Sequence, residues 1–75
     1  FRSNPFVGST TTQFDNSNKQ AFQLIIYDLT GKACRIIDGI TESKYILHKE
    51  NLTPGIYYMC LRGDNESYKE KIIIK

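Results

Sequence analysis

Apolar and polar residues alternate in short runs along this chain, and each run ends in a cluster of Asn, Asp, Gly, Pro or Ser. Alternation with a period of two is the mark of strands buried on one face. The clearest run is Gln20 to Asp28. There Phe22, Leu24 and Ile26 alternate with Gln23, Ile25 and Tyr27, so one face is wholly apolar and the other half so. Ile56 to Arg62 repeats the pattern, with Tyr57, Met59 and Leu61 opposing Ile56, Tyr58 and Cys60. Four further runs read as strands: Ser9 to Asp15, with Thr10, Thr12 and Phe14 on one side; Lys32 to Ile37; Ser43 to Lys49, with Tyr45 and Leu47 on one face; and Tyr68 to Lys75. Apolar residues never recur in a sustained three-to-four-residue period, and alanine is nearly absent, so the pattern speaks against helices.

The breaks carry turn chemistry. In Asp15-Asn16-Ser17-Asn18, short polar side chains can bond their own backbone. Asp28-Leu29-Thr30-Gly31 predicts a hairpin in which Gly31 supplies positive φ and the Asp28 carboxylate caps the turn. Asp38-Gly39 marks a reversal, Leu52-Thr53-Pro54-Gly55 places Pro and Gly as turns favour, and Gly63-Asp64-Asn65-Glu66 is another turn. Phe1 to Gly8, with Asn4-Pro5, reads as an extended lead-in. Six strands at intervals of about ten residues predict an all-β fold, an antiparallel sandwich or small barrel. The expected core is Phe14, Phe22, Leu24, Ile26, Cys34, Ile37, Leu47, Leu52, Tyr57, Met59, Leu61, Ile72 and Ile74.

Length narrows the reading further. At 75 residues the chain is one domain, and a domain of this size buries only about 60% of the surface its unfolded form exposes. A supported catalytic cleft is hard to fit beside such a core, and we expect no enzymatic activity. A content of 40% hydrophobic and 24% charged residues belongs to a folded protein. The net charge of +2 comes from scattered Lys and Arg, without the basic stripe that nucleic-acid binding requires. Cys34 and Cys60 lie far apart and read as free thiols, and the single histidine, His48, has no ligand cluster beside it. No metal or other cofactor is expected. No apolar run approaches the ~20 residues of a membrane helix. The chain opens at Phe1 without an initiator methionine, which reads as a piece of a longer protein.

Motifs for chemistry are sparse. His48 ends a strand and reads as solvated, while the carboxylates sit in turns or between lysines, and the glycines occur singly. Arg62-Gly63-Asp64 spells an adhesive tripeptide at a predicted hairpin tip, although Gly63-Asp64 is explained by turn chemistry alone. Asn51-Leu52-Thr53 and Asn65-Glu66-Ser67 match the glycan acceptor pattern, which matters only in a eukaryotic secretory pathway.

Four segments, read in order, resemble one family. They are Asn4-Pro5-Phe6 with Ser9-Thr10-Thr11; Phe22 to Lys32, containing Ile26-Tyr27-Asp28-Leu29-Thr30-Gly31-Lys32; Leu52-Thr53-Pro54-Gly55-Ile56-Tyr57; and Lys71-Ile72-Ile73-Ile74-Lys75. Together they resemble the C-terminal sorting domain, type A, of the type IX (Por) secretion system of Bacteroidota. Ser3 stands where a proline is common, Lys32 replaces an arginine, and Cys34 takes a position usually given to valine.

The resemblance implies an Ig-like antiparallel β-sandwich of seven strands, so the pattern above is one strand short; Phe1 to Val7 or Asp38 to Ile40 could supply it. It implies residues 1–8 as a lead-in from a cargo protein and 9–75 as the sorting domain. It implies transit through the periplasm, passage through an outer-membrane translocon, removal by a sortase-like transpeptidase, and cargo anchored at the cell surface or secreted. By the same match, Lys71, Ile72, Ile73, Ile74 and Lys75 carry the address; Asp28, Gly31, Gly55 and Tyr57 read as fold determinants, since glycine turns and a buried tyrosine are needed in any sandwich of this kind. Exposed edge strands are compatible with a strand-exchanged homodimer. The alternative is an Ig-like or fibronectin-like accessory module that binds carbohydrate or protein. It requires an exposed aromatic platform from three of Tyr27, Tyr45, Tyr58 and Tyr68 on one face. A third class, an adhesin, would depend on Asp64.

Overall fold

The computed structural model describes residues 5–75, and among these there is no helix. Seven strands follow one another: β1 (Pro5–Phe6), β2 (Ser9–Gln13), β3 (Phe22–Tyr27), β4 (Ala33–Ile40), β5 (Lys44–His48), β6 (Gly55–Arg62) and β7 (Ser67–Ile74). They form an all-β sandwich of a five-stranded sheet, in the order β1-β7-β6-β3-β4, and a two-stranded sheet, β2-β5. The seventh strand is β1. It pairs parallel to β7, Pro5 with Ile73 and Phe6 with Ile74, the one departure from antiparallel pairing among these strands. Pro5, which cannot donate to a ladder, sits on an edge strand, where the missing N–H costs least. Pro5 and Phe6, assigned to the lead-in by the sequence pattern, are thus strand, and Phe6 is core; Phe1 to Asn4 lie outside the described residues.

The two strongest alternating runs, β3 and β6, lie side by side at the centre of the large sheet, with Leu24 opposite Leu61 and Ile26 opposite Met59. Their inward residues join Leu47 of the small sheet, Ile72 and Ile74 of β7, and Leu52 and Tyr57 in one cluster; Phe14, Ile37, Tyr45 and Tyr68 pack half-buried against it. Thr12 of β2 is buried, and its hydroxyl meets Met59 Sδ at 3.6 Å across the two layers.

Strand β4 corrects the sequence reading in two places. The pairing of β3 with β4 shifts between Ile26 and Tyr27 and again between Phe22 and Leu24. At the first shift Cys34 is the extra residue, and it is exposed rather than in the core. At the second, Asp38 and Gly39 together face Gln23, and Gly39 takes a φ of 71°. Asp38-Gly39 is therefore a bulge within the strand and not a reversal. Bulges place two residues opposite one and restart the alternation, which returns Ile40 to the inner face, where it is buried. A hydrogen bond of 2.9 Å from Gln23 Nε2 to Asp38 Oδ1 closes the bulge.

Candidate functional site

Strand β7 carries the residues expected to hold the address. Ile72 and Ile74 point inward and are buried, Lys71 and Lys75 are exposed, and Ile73 is half-buried on the opposite face between Ile56 of β6 and Pro5 of β1. The strand's end is held on both flanks. The Lys75 amide donates to the Phe6 carbonyl at 2.9 Å. Lys49 Nζ donates to the Lys75 carbonyl at 3.4 Å.

Gly55 and Tyr57 lie directly beside this segment, since Gly55, Ile56 and Tyr57 register against Ile74, Ile73 and Ile72. Gly55 has a φ of 153°, outside the range L-residues favour. The buried Tyr57 turns its hydroxyl back on the preceding turn, donating to the Thr53 carbonyl at 2.7 Å and lying 3.0 Å from Thr53 Oγ1. This is the corner geometry that β-sandwiches use to lock a strand entry, and it gives Leu52-x-x-Gly55-x-Tyr57 a physical meaning.

Asp28 and Gly31 stand at the same end of the sheet, one strand further in. The Gly31 amide donates to the Asp28 carbonyl at 3.0 Å, and Gly31 has a φ of 88°. That is a three-residue hairpin loop ending in a left-handed residue. Asp28 Oδ1 accepts from the Thr30 hydroxyl at 2.6 Å, from the Thr30 amide at 2.9 Å and from the Lys32 amide at 3.0 Å. The Thr30 hydroxyl, followed by the Lys32 amide, holds the Asp28 carboxyl below its ordinary value. Because the folded value is lowered, its contribution is complete above the ordinary aspartate range. It is lost as pH falls through the lowered value.

Of the four tyrosines considered for an aromatic platform, only Tyr27 and Tyr58 share an exposed face, as register partners on β3 and β6. Tyr45 and Tyr68 pack against the core, with the Tyr68 ring 6.3 Å from that of Phe22. His48 is exposed, and its carbonyl accepts a hydrogen bond from Arg35.

Three polar fasteners went unmarked in the sequence pattern. Asn16 is 4% exposed and ties two loops, donating to the carbonyls of Gln20 (2.9 Å) and Glu42 (3.2 Å) and accepting from the Gln20 amide (3.0 Å). Gln20 Oε1 in turn accepts from the Asp64 amide at 2.9 Å, holding the Gly63–Glu66 turn. Arg35 Nη2 donates to the Lys49 carbonyl at 3.0 Å and to Asn51 Oδ1 at 3.3 Å, beside Glu50 at 3.5 Å. Arg35 had a legible signal, a charge at a core-facing step of a strand. Asn16 was legible only as one of four residues in a turn that bonds its own backbone, and nothing there marked its reach to Glu42.

The fold and these motifs define a small β-sandwich module whose marked residues gather at one end of its larger sheet. The chain belongs to the secretion system C-terminal sorting domain family, whose sequence model matches residues 4–75. It is therefore a C-terminal sorting signal of type IX secretion, a domain that interacts with that system and accompanies export across the outer membrane to the cell surface or beyond. A search of curated proteins finds no match.

Proposed function

We propose that the outward side of the end of β7 is the address, read by the outer-membrane translocon, and that the domain performs no chemistry itself. The observation that carries this is the position of Ile73. The sandwich needs Ile72 and Ile74 for its core, whereas Ile73 lies on the opposite face, half-buried and flanked by the exposed Lys71 and Lys75. An apolar residue between cations stays soluble yet offers a partner both contact area and charge. In this reading the domain crosses the periplasm with its cargo. A sortase-like transpeptidase then removes it, leaving the cargo at the cell surface, with the cargo linker ahead of the sandwich as the segment that is cut. A strand-exchanged homodimer would use β1, which among the described residues is held to β7 through two register pairs.

The test is export of a reporter carrying a signal peptide and this chain in a type IX-competent host. Deleting Lys71 to Lys75 would remove the core residues Ile72 and Ile74, so the informative variant is Lys71→Glu, Ile73→Ser, Lys75→Glu. Export should fall at least tenfold while circular dichroism reports the same fold. Normal export of this variant would move the address off β7. Periplasmic retention of the unaltered reporter would sink the sorting reading. Mass spectrometry of the surface form should show the cargo without residues 9–75; an uncut product would refute removal.

A further inference from the structure

We infer that the outer face of the five-stranded sheet from β4 across β3 and β6 to Lys69 is a docking site separate from the end of β7, and that its occupant is an extended segment of a protein partner bearing carboxylates between apolar side chains. An antiparallel sheet face that meets only water is expected to be polar. The small sheet largely follows this rule, with Ser9, Thr11, Gln13, Lys44 and His48 exposed. The outer face of the large sheet does not. In one row Ile36 of β4 faces Ile25, then Cys60, then Lys69; in the next, Tyr27 faces Tyr58, then Lys71; beyond them lie Ile56 and Ile73. Ile36 is 56% exposed, Ile56 40% and Tyr58 39%. Nothing in the core requires apolar residues at these positions.

The charged side chains on the β6–β7 side of this face, Arg62, Lys69 and Lys71, are all cationic. A groove of about 480 Å³ is lined by Tyr27, Tyr58, Cys60, Arg62 and Lys69 and, from the β3–β4 hairpin, by Asp28. Among the described residues neither Arg62 nor Lys69 forms an ion pair. The two nearby carboxylates lie on the hairpin and on β4, away from β7, and are hydrogen-bonded there, Asp28 to Thr30 and Lys32 and Asp38 to Gln23. The cations thus border the apolar rows on the β6–β7 side, an arrangement complementary to an acidic, apolar surface. A second copy stacked face to face would set these same cations against each other, which argues against self-association. A sugar ligand would have only two neighbouring tyrosines on which to stack.

Side chains of an extended segment alternate in direction, so a partner that lies on this face needs its apolar and acidic residues two apart. The corresponding probe is the peptide Thr-Val-Thr-Glu-Thr-Val-Thr-Glu, titrated into the ¹⁵N-labelled chain and followed by amide chemical shifts. Shifts should centre on Tyr27, Tyr58, Cys60, Arg62 and Lys69. They should disappear when Lys replaces Glu in the peptide. Binding should weaken about tenfold or more in the variant Arg62→Glu, Lys69→Glu, whose fold is verified by its unchanged remaining amides. Shifts confined to other regions, or no shifts at millimolar peptide, overturn the proposal. So does equal binding of a peptide with Ser in place of Val, which would reduce the face to a charge effect. Binding of oligogalacturonate or of phosphatidylglycerol vesicles at this face, with none of the peptide, overturns it in favour of a glycan or a lipid surface. The titration reads β3, β6 and Lys69 in isolation from secretion, so its failure leaves the export assay on β7 intact, and the reverse holds.

Discussion

The two faces of the five-stranded sheet both carry large apolar side chains and live under different conditions. On the inner face Phe22, Leu24, Ile26, Met59, Leu61 and Ile74 are at most 2% exposed. On the outer face Ile25 and Cys60 are shielded by their neighbours, while Ile36, Ile56 and Tyr58 stand in solvent. A single strand such as β3 is therefore apolar on both sides. Its inward residues are demanded by folding, since burial of each large aliphatic side chain contributes about 1.5–3 kcal/mol. Outward residues that stay in solvent, such as Ile36 and Ile56 on the strands around it, add little to a lone domain.

Four substitutions test that contrast. The largest effect should come from Leu24→Ala at the centre of the inner face, where Leu24 is 0% exposed. A cavity there costs about 2–5 kcal/mol, a large share of the ~5–15 kcal/mol that holds a domain folded, and urea unfolding would show the midpoint collapse. Gly63→Val comes next. A Cβ at Gly63 would lie 2.9 Å from the Phe22 ring and 2.8 Å from Gln20 Oε1, so the core ring must move, at about 1–3 kcal/mol. A smaller loss, about 1 kcal/mol, is expected for Tyr57→Phe, which removes the hydroxyl bonded to Thr53; thermal unfolding resolves it. Ile36→Thr, on the outer face, should change stability by less than about 0.5 kcal/mol. If Ile36→Thr instead approaches the cost of Leu24→Ala, the outer face belongs to the fold and the contrast fails.

Much of this architecture was legible because period-two alternation is a local property. β3 and β6 could be assigned inward and outward faces residue by residue, and of the expected core all but Cys34, Phe14 and Ile37 are buried. The misassigned residue was a consequence of parity. Cys34 and Ile37 are three apart and cannot face the same side of a regular strand, so a bulge was implied, but its position was not. The same arithmetic hid Ile40, because Asp38-Gly39 has the composition of a turn and only pairing with β3 turns it into a bulge. The candidate site divided in the same way. The hairpin at Asp28–Gly31 and the corner at Gly55–Tyr57 are short-range devices written in consecutive residues. That Gly55 and Tyr57 lie against Ile74 and Ile72 is a long-range fact.

By itself the sequence determined the strand content, the central pair of strands, the turn chemistry and the family to which the chain belongs, because each rests on neighbouring residues or on an ordered series of short motifs. The tertiary structure alone decided the 5 + 2 division of the sheets, the parallel docking of β1 on β7, the burial of Phe6 and Asn16, and the uncovered apolar face beside Arg62 and Lys69. Those depend on which strands become neighbours, and a chain of alternating residues specifies its faces well before it specifies its partners.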